Sequence, residues 1–203
     1  MPVVTVGPQQ ASDEELLALW SRGERPALDE LFGRYRSVAY RVAYRLLGNE
    51  ADALDAVQDG FIKALTHLRN FQGRSTFKTW LLRVVSNASL DLGRQRRRRE
   101  AIRIDVLVAG ERESLEPLLR EDNPGTGLEQ ADFRRLLDAA LARLPEPQRR
   151  TFVLHAEAEL SYREVADVLE ISIGTVMSRL YYARQKLRAY LEPLVHDSMA
   201  KNS

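Results

Sequence analysis

Apolar residues recur every three or four positions along most of this chain of 203 residues. This spacing places them on one face of an α-helix, which has about 3.6 residues per turn. No stretch shows the strict polar and apolar alternation that is typical of a half-buried strand. The sequence therefore predicts an all-α fold. The clearest face follows Pro26 and contains Leu28, Leu31, Tyr35, Val38, Val42 and Leu46.

Polar residues and glycines mark where the helices are expected to begin and end. Ser12 and Glu15 have the spacing of a capping box. Gly48 is expected to end the next helix, Asn49 to cap the one that follows, and Ser75 to cap a further helix. The inner face after Asn49 is expected to contain Leu54, Val57, Phe61, Leu65 and Leu68, and the inner face after Ser75 to contain Phe77, Leu81, Val84 and Ala88.

The character of the chain changes after Arg103, where scattered glycines, prolines and mostly acidic charges replace the helical pattern. A structureless stretch of this length is unusual inside one compact core. We therefore expect two helical domains joined by a flexible acidic linker, with a short helix at "ESLEPLLRE". The expected divisions are a disordered tail at 1–11, a helical domain at 12–100, the linker at 101–127, a second helical domain at 128–192 and a C-terminal tail at 193–203.

Composition excludes several classes of site. The chain has 30 basic and 29 acidic residues, a formal net charge of +1 and no cysteine, so disulfides and thiolate metal sites are excluded. The N-terminal sequence lacks the pattern of a signal peptide, and no run approaches the roughly 20 apolar residues of a membrane span. Its histidines are isolated and it has no glycine-rich phosphate loop. We therefore expect neither an enzyme nor a bound cofactor or metal.

The C-terminal sequence "LSYREVADVLEISIGTVMSRLYYARQKL" predicts a helix-turn-helix. Ser161 and Glu164 form a capping box before a short helix, "EIS" makes a tight turn, and a second helix starts near Ile173. Counting about 100° per residue places Val176, Leu180, Ala183 and Leu187 inward, Ser178, Tyr181, Tyr182 and Gln185 outward, and Met177, Arg179 and Arg184 on the flanks. In such motifs the second helix enters the major groove of DNA. An ordinary helical hairpin with solvated polar residues is the alternative.

A run of arginines closes the segment "STFKTWLLRVVSNASLDLGRQRRRRE" in a chain that is otherwise nearly neutral. The loop before this helix interleaves aromatic and basic residues, which together can hold unpaired bases and their phosphates. The run could also be a solvated basic tail, and Phe77 and Trp80 could be core residues. The residues concerned are Phe71, Arg74, Phe77, Lys78 and Trp80 in and after the loop, and Arg94, Arg96, Arg97, Arg98 and Arg99 in the run.

Two segments resemble a known family. "DAVQDGFIKALTHLRNFQGRSTFKTWLLRVVSNASLDLGRQRRR" is similar to the sigma-two domain of extracytoplasmic-function (ECF) sigma factors, which belong to the sigma-70 family of bacterial RNA polymerase sigma factors. "LARLPEPQRRTFVLHAEAELSYREVADVLEISIGTVMSRLYYARQKLRAYL" is similar to their sigma-four domain. Both segments occur in the family's order, and the resemblance covers most of residues 12–192. It implies a sigma factor that binds core RNA polymerase and directs promoter recognition and transcription initiation.

The resemblance implies three sets of site residues. Core polymerase binding falls on Asp55, Gln58, Asp59 and Lys63. Binding of the promoter's minus-ten element falls on Phe71, Arg74, Ser75, Thr76, Lys78, Asn87, Arg94, Arg96, Arg97 and Arg98. Binding of the minus-thirty-five element falls on Thr175, Met177, Ser178, Arg179, Tyr181, Tyr182 and Gln185. Ile173, Met177 and Tyr182 depart from the family, which often has Pro, a basic residue and Arg at these positions, so the promoter sequence stays open.

Two other hypotheses stay open at this point. A free-standing helix-turn-helix regulator would bind duplex DNA without polymerase, but it leaves the aromatic and basic loop unexplained. A sigma mimic would bind an anti-sigma protein and never touch DNA, although the arginine run argues against it. The leading hypothesis predicts core RNA polymerase and promoter DNA as partners, with an anti-sigma factor as a further candidate. It also predicts no membrane insertion and a location in the cytoplasm.

Overall fold

The computed structural model describes the backbone of residues 11–108 and 128–201, and the side chains of residues 11–102 and 133–192. Within these ranges the protein has eight α-helices and no strand, which confirms the predicted all-α fold. The expected tail before Ala11 and the short helix at "ESLEPLLRE" lie outside the described residues. The helices are α1 (Asp13–Ser21), α2 (Pro26–Leu47), α3 (Glu50–His67), α4 (Phe77–Val108), α5 (Leu128–Ala142), α6 (Glu146–Ala156), α7 (Tyr162–Leu169) and α8 (Ile173–Lys201).

The expected helix boundaries are mostly confirmed. The Ser12 backbone N–H donates to Glu15 Oε2 at 2.7 Å and the Glu15 N–H donates to Ser12 Oγ at 3.2 Å, which completes the capping box of α1. Gly48 ends α2 with a left-handed φ of 79°, a conformation that glycine adopts without strain. The start of α4 differs, because Thr76 rather than Ser75 caps it: Thr76 Oγ1 accepts the Thr79 N–H at 3.1 Å.

Helices α3 and α4 pack closely through a row of small residues. Ala53, Ala56, Gly60 and Ala64 are buried on α3. A Cβ atom at Gly60 would lie 3.0 Å from the Val85 Cα atom, so only glycine allows this approach of the two helices. The prediction that Leu54 and Leu65 lie on the inner face is wrong, because the small residues occupy that face. Leu54 is 50% exposed and Leu65 is 45% exposed.

An aromatic cluster supports the loop that precedes α4. The rings of Phe32 and Phe61 meet edge to face at a centroid distance of 5.1 Å, and Phe32 and Phe77 do so at 5.6 Å. Phe71, in the loop, lies 6.0 Å from the ring of Phe77 and 5.3 Å from the ring of Trp80. Phe77 is 2% exposed, so the core interpretation of this residue is confirmed.

The C-terminal helices form the expected helix-turn-helix. Ser161 and Glu164 cap α7 through a complete capping box, and Glu170 ends α7 in a left-handed conformation with φ of 54°. The inward face predicted for the second helix is confirmed, since its four residues are at most 5% exposed. These residues are Val176, Leu180, Ala183 and Leu187.

The C-terminal helices pack directly on the N-terminal ones. Val153 and Leu154 of α6 and Val165 of α7 belong to the same buried apolar cluster as the core residues of α1 to α4. Arg45 of α2 crosses this contact, since its Nε donates to Glu157 at 2.9 Å and its Nη1 donates to Asp138. Among the described residues, no helix has both the length and the hydropathy of a membrane span.

Candidate nucleic-acid and protein interfaces

The outer side of α3 carries the residues expected to bind polymerase. Asp55, Gln58, Asp59 and Lys63 are all exposed, and Lys63 Nζ lies 2.7 Å from Asp59 Oδ2. Leu54, Ile62 and Leu65 lie on the same side and are 50%, 55% and 45% exposed. We call these seven residues the α3 face. It combines acidic groups with large exposed aliphatic side chains, and exposed apolar residues that lie together are typical of a protein contact.

The sequence pattern did not predict the aliphatic part of the α3 face, because bulky residues at a helical spacing indicated a buried inner face. The signal that could have found it is the row of alanines and a glycine at a spacing of three or four on the opposite side of α3. Small residues on one side bring the neighbouring helix close and leave bulky residues on the other side in solvent.

The loop at residues 71–76 presents polar groups above the aromatic cluster. Arg74 and Thr76 are exposed, whereas Phe71 and Ser75 are half-buried. Phe71 packs on Phe77 and Trp80, so its ring holds the loop in place as well as bordering its surface. Lys78, in the first turn of α4, is also half-buried.

The basic residues of α4 do not all point the same way. At about 100° per residue, Arg94 and Arg98 lie within about 20° of Asn87 around the helix axis. Arg97 lies about 80° to one side of Asn87, and Arg96 lies on the opposite side of the helix. Arg96 instead contacts α3, where its Nη1 lies 2.7 Å from Asp52 Oδ2. The structure therefore brings together three of the four expected arginines.

Helix α6 contacts part of this arginine surface, although Arg94 and Arg97 are each still 55% exposed. Glu146 contacts two of its arginines, with one carboxylate oxygen 3.0 Å from Arg94 Nη2 and the other 3.0 Å from Arg97 Nη2. Arg150 Nη2 donates to Ser86 Oγ at 3.0 Å and also to Asn87 Oδ1. In this arrangement, residues expected to contact the minus-ten element are bonded within the chain.

The contact between α6 and α4 contains a buried charge and polar atoms without hydrogen-bond partners. Burial lowers the pKa of Arg150 to about 10, because removal from water disfavours the charged guanidinium more than the nearby Glu146 carboxylate favours it. Three buried polar atoms near it have no hydrogen-bond partner among the described residues: Gln148 Oε1, Arg149 Nε and Arg150 Nε. The contact between α6 and α4 therefore holds less tightly than its number of charged groups suggests.

Helix α7 also contacts α4. The Thr79 hydroxyl donates to Glu164 at 3.0 Å, and Arg83 forms an ion pair with Glu170. Burial alone would raise the pKa of Glu164, but hydrogen bonds from Ser161 and Thr79 outweigh it and hold the pKa below its usual range. The cleft beside these contacts is basic, since Arg74, Arg83 and Arg163 line it.

The outward surface of α8 is unusually apolar at its N-terminal end. Met177, Tyr181 and Tyr182 are 55%, 58% and 52% exposed, and Ile173 is 46% exposed. Ser178 and Gln185 share this surface and are exposed, whereas Thr175 and Arg179 are half-buried. The seven residues expected to contact the minus-thirty-five element thus lie around one end of the helix, with Arg179 at its edge.

Comparison with known proteins identifies both halves of the chain. The model for Sigma-70 region 2 matches residues 31–99, and the model for Sigma-70, region 4 matches residues 134–187. The chain is 31% identical over 188 residues to the ECF RNA polymerase sigma-E factor of Escherichia coli, covering 92% of this chain and 98% of that relative. It is 38% identical over 167 residues to the ECF RNA polymerase sigma factor SigE of Mycolicibacterium smegmatis, covering 82% of this chain and 62% of that relative, which is less than two thirds of its length.

Two solved structures share the fold. A chain in the structure of CnrH in complex with the cytosolic domain of CnrY matches with a TM-score of 0.67 and 26% identity, covering 90% of this chain and 99% of that chain. A chain in the structure of the sigma factor RpoE with the anti-sigma factor NepR from Bartonella quintana matches with a TM-score of 0.59 and 25% identity, covering 79% of this chain and 95% of that chain. This chain therefore belongs to the ECF sigma factors of the sigma-70 family, and it is a non-enzymatic initiation factor that directs core RNA polymerase to promoter DNA.

Proposed function

We propose that three surfaces of this sigma factor divide the work of initiation. The α3 face binds core RNA polymerase, the loop at 71–76 and the exposed side of α4 bind the minus-ten element, and the outward surface of α8 binds the minus-thirty-five element. The first two surfaces belong to a domain at residues 12–100 and the third to a domain at 128–192, with a linker at 101–127 between them. The backbone of α4 continues to Val108, inside the proposed linker.

The observation that carries this assignment is the α3 face. Leu54, Ile62 and Leu65 are each about half exposed on the outer side of α3, while small residues form its buried side. Polar residues could occupy these three exposed positions without changing how α3 packs. Aliphatic side chains with a border of Asp55 and Asp59 match a protein surface that is partly apolar and partly basic. DNA phosphates would not select such a face, because its acidic groups repel them.

A simple energy comparison supports the need for polymerase. DNA stacking is worth about 1.4 kcal/mol per base-pair step, so opening roughly ten base pairs costs on the order of 14 kcal/mol. Stacking a captured base on an aromatic side chain returns about 1–3 kcal/mol. The loop at 71–76 can therefore select and nucleate an opening, but only a larger partner can hold it open.

We also propose that the two domains separate before the promoter is bound. Arg94 and Arg97 pair with Glu146 of α6, and Asn87 Oδ1 accepts a hydrogen bond from Arg150, so DNA competes with α6 for these groups. The buried charge of Arg150 and the unpartnered polar atoms near it favour this exchange, because leaving the contact returns them to water. The free energy for separating the two domains would come from polymerase, which would bind each domain at a different position.

An anti-sigma factor is a further proposed partner. CnrH is in complex with CnrY, and RpoE of Bartonella quintana is in complex with the anti-sigma factor NepR. We propose that such a protein would cover the α3 face of this chain, since one partner on that face excludes another. We place the sigma factor in the cytoplasm, where core polymerase and the chromosome are found.

Run-off transcription tests the proposed function directly. Purified bacterial core polymerase is mixed with fragments of the host's genomic DNA, with and without this protein, and the transcripts are sequenced. We expect discrete start sites that share two upstream elements and occur only when the protein is present. If no protein-dependent starts are found and core binding is also absent, the proposal fails. A duplex-binding assay then distinguishes a free-standing regulator, which binds DNA alone, from a sigma mimic, which does not.

Reversing charge on the α3 face should weaken polymerase binding. For the double variant D55K/D59K we expect about 10- to 100-fold lower affinity for core polymerase, because like charges then face each other across the interface. The variant also loses the exposed Asp59–Lys63 ion pair, which contributes little to stability. Binding is measured by fluorescence anisotropy of the labelled sigma factor.

The matched control for this experiment is E24K/D29K, which reverses two exposed acidic groups at the start of α2, away from the α3 face. We expect this control to keep its affinity and both variants to keep their helical circular dichroism. Equal affinities for D55K/D59K and the unchanged protein would show that polymerase docks elsewhere.

A further inference from the structure

The recognition helix exposes several large side chains beside its polar groups. Ile173, Met177 and Tyr181 recur at a spacing of four along α8 and are 46%, 55% and 58% exposed, and Tyr182 lies beside them at 52%. Large apolar side chains scattered singly on a protein surface need no explanation, but a contiguous set indicates a contact. This set lies on the end of α8 that the helix-turn-helix presents to DNA.

Several polar groups on this surface are already bonded within the helix. The Ser178 hydroxyl donates to the Thr175 carbonyl at 3.0 Å, and one N–H of Gln185 donates to the Tyr181 hydroxyl at 2.7 Å. Thr175 Oγ1 lies 2.8 Å from Ser172 Oγ, where the two hydroxyls share a hydrogen bond. These groups are therefore partly engaged within the chain, whereas the exposed Met177 side chain carries no group that needs a strong hydrogen-bond partner.

We propose that this surface reads thymine through its C5-methyl group, with Met177 as the main specificity residue. The proposal rests on the assignment of α8 to the minus-thirty-five element. Thymine carries the only apolar group on a base edge in the major groove, so an apolar side chain there distinguishes thymine from the other bases. Methionine suits this contact because its unbranched, polarizable side chain adapts to a small apolar target.

The spacing of the side chains predicts where the thymines lie. Met177 and Tyr181 are one turn apart, which is about 6 Å along the helix axis. Successive bases of one strand are separated by about 3.4 Å, so the two side chains span about two base-pair steps. We therefore expect the element to contain at least one thymine, on either strand, opposite Met177, and a second A·T pair about two steps away opposite Tyr181.

Base substitution tests the proposal on the unchanged protein. Holoenzyme made with the full chain first selects its preferred sequence from DNA with a randomised minus-thirty-five region. Each selected thymine is then replaced, one at a time, by deoxyuridine, which lacks only the methyl group. We expect the affinity to fall about fourfold at each thymine that α8 contacts, the value for burying one methylene-sized group. Thymines outside the element serve as the internal control and should show no change.

The variant M177A then links the methyl group to one side chain. We expect it to bind the thymine-containing element about fourfold more weakly and to have lost the response to deoxyuridine at one position. The matched control is F133A, because Phe133 is a large side chain on α5 that is 51% exposed and lies outside the recognition helix. F133A should keep both its affinity and its response to deoxyuridine.

The outcomes separate this inference from the proposed function. A selected element without thymine contradicts recognition of the thymine methyl group by α8. So does an element that the holoenzyme binds equally well when every thymine is replaced by deoxyuridine. Either result leaves the sigma factor assignment in place. A holoenzyme that selects no upstream sequence at all contradicts the assignment of α8 to the minus-thirty-five element. Loss of the deoxyuridine response in F133A as well as in M177A would assign the effect to the domain's stability and overturn the role of Met177.

Discussion

Replacing Phe77 with alanine is expected to lower the free energy of unfolding of the N-terminal helices by about 3–5 kcal/mol. Phe77 is 2% exposed, and its ring lies 5.6 Å from Phe32, 5.8 Å from Tyr35 and 5.8 Å from Trp80. Alanine would remove the apolar area of the ring and leave a cavity that these rigid rings cannot fill. Urea denaturation, monitored by tryptophan fluorescence, measures this change in the free energy of unfolding.

Two further variants distinguish the core role of Phe77 from a role in binding DNA. F77L keeps most of the volume, so we expect it to lose under about 1.5 kcal/mol. Phe71 is only half-buried on the same cluster, so F71A should lose less stability than F77A while lowering promoter opening more than F77L does. If F77A unfolds at the same urea concentration as the unchanged protein, the Phe77 ring does not stabilise the N-terminal helices as we expect.

Much of the fold could be predicted because helices are specified locally. The capping boxes at Ser12 and Ser161 and the end of α2 at Gly48 depend on residues within one turn of each other, and the structure confirms all three. The start of α4 was missed by one residue, since Ser75 and Thr76 both have side-chain oxygens that can cap. Only the path of the loop decides between them.

The α3 helix shows where periodicity is insufficient. Bulky residues at a helical spacing predicted an inner face containing Leu54 and Leu65, yet the buried face consists of Ala53, Ala56, Gly60 and Ala64 together with Val57. Hydrophobicity alone favours the leucines for burial, whereas the close approach of Val85 leaves no room for even a Cβ atom at Gly60. The choice is made by the neighbouring helix, which the local sequence does not contain.

The contact between the two halves could not be predicted from the sequence either. Glu146 lies 52 residues from Arg94, and Glu164 lies 85 residues from Thr79. The periodicity of the sequence indicates which side of its own helix each of these residues occupies. It carries no information about which other helix that side contacts. The sequence could indicate the arginines as a DNA surface, but only the structure shows that Arg94 and Arg97 pair with Glu146 of α6 and that Arg96 pairs with Asp52.

Removing the arginines that share one side of α4 should have a larger effect on promoter binding than any other change on this surface. For the triple variant R94Q/R97Q/R98Q we expect the slope of log affinity against log salt to become less negative by about 2.7 on duplex DNA or about 2.1 on a single strand. The affinity of the holoenzyme at about 0.1 M salt should then fall about 10²- to 10³-fold, because each lost phosphate contact forfeits the release of a counterion. A salt titration of holoenzyme binding to the selected promoter measures both quantities.

Two single variants control for the other contacts of these arginines. R96Q removes one positive charge from the same run, but Arg96 lies on the opposite side of α4 and pairs with Asp52, so its slope should change by less than half of one phosphate contact. E146Q breaks the same ion pairs with Arg94 and Arg97 while keeping the arginines, so the holoenzyme should keep its slope and bind at least as tightly. If the triple variant kept the slope of the unchanged protein, the arginine run would be a solvated helix end and the minus-ten contact would lie elsewhere.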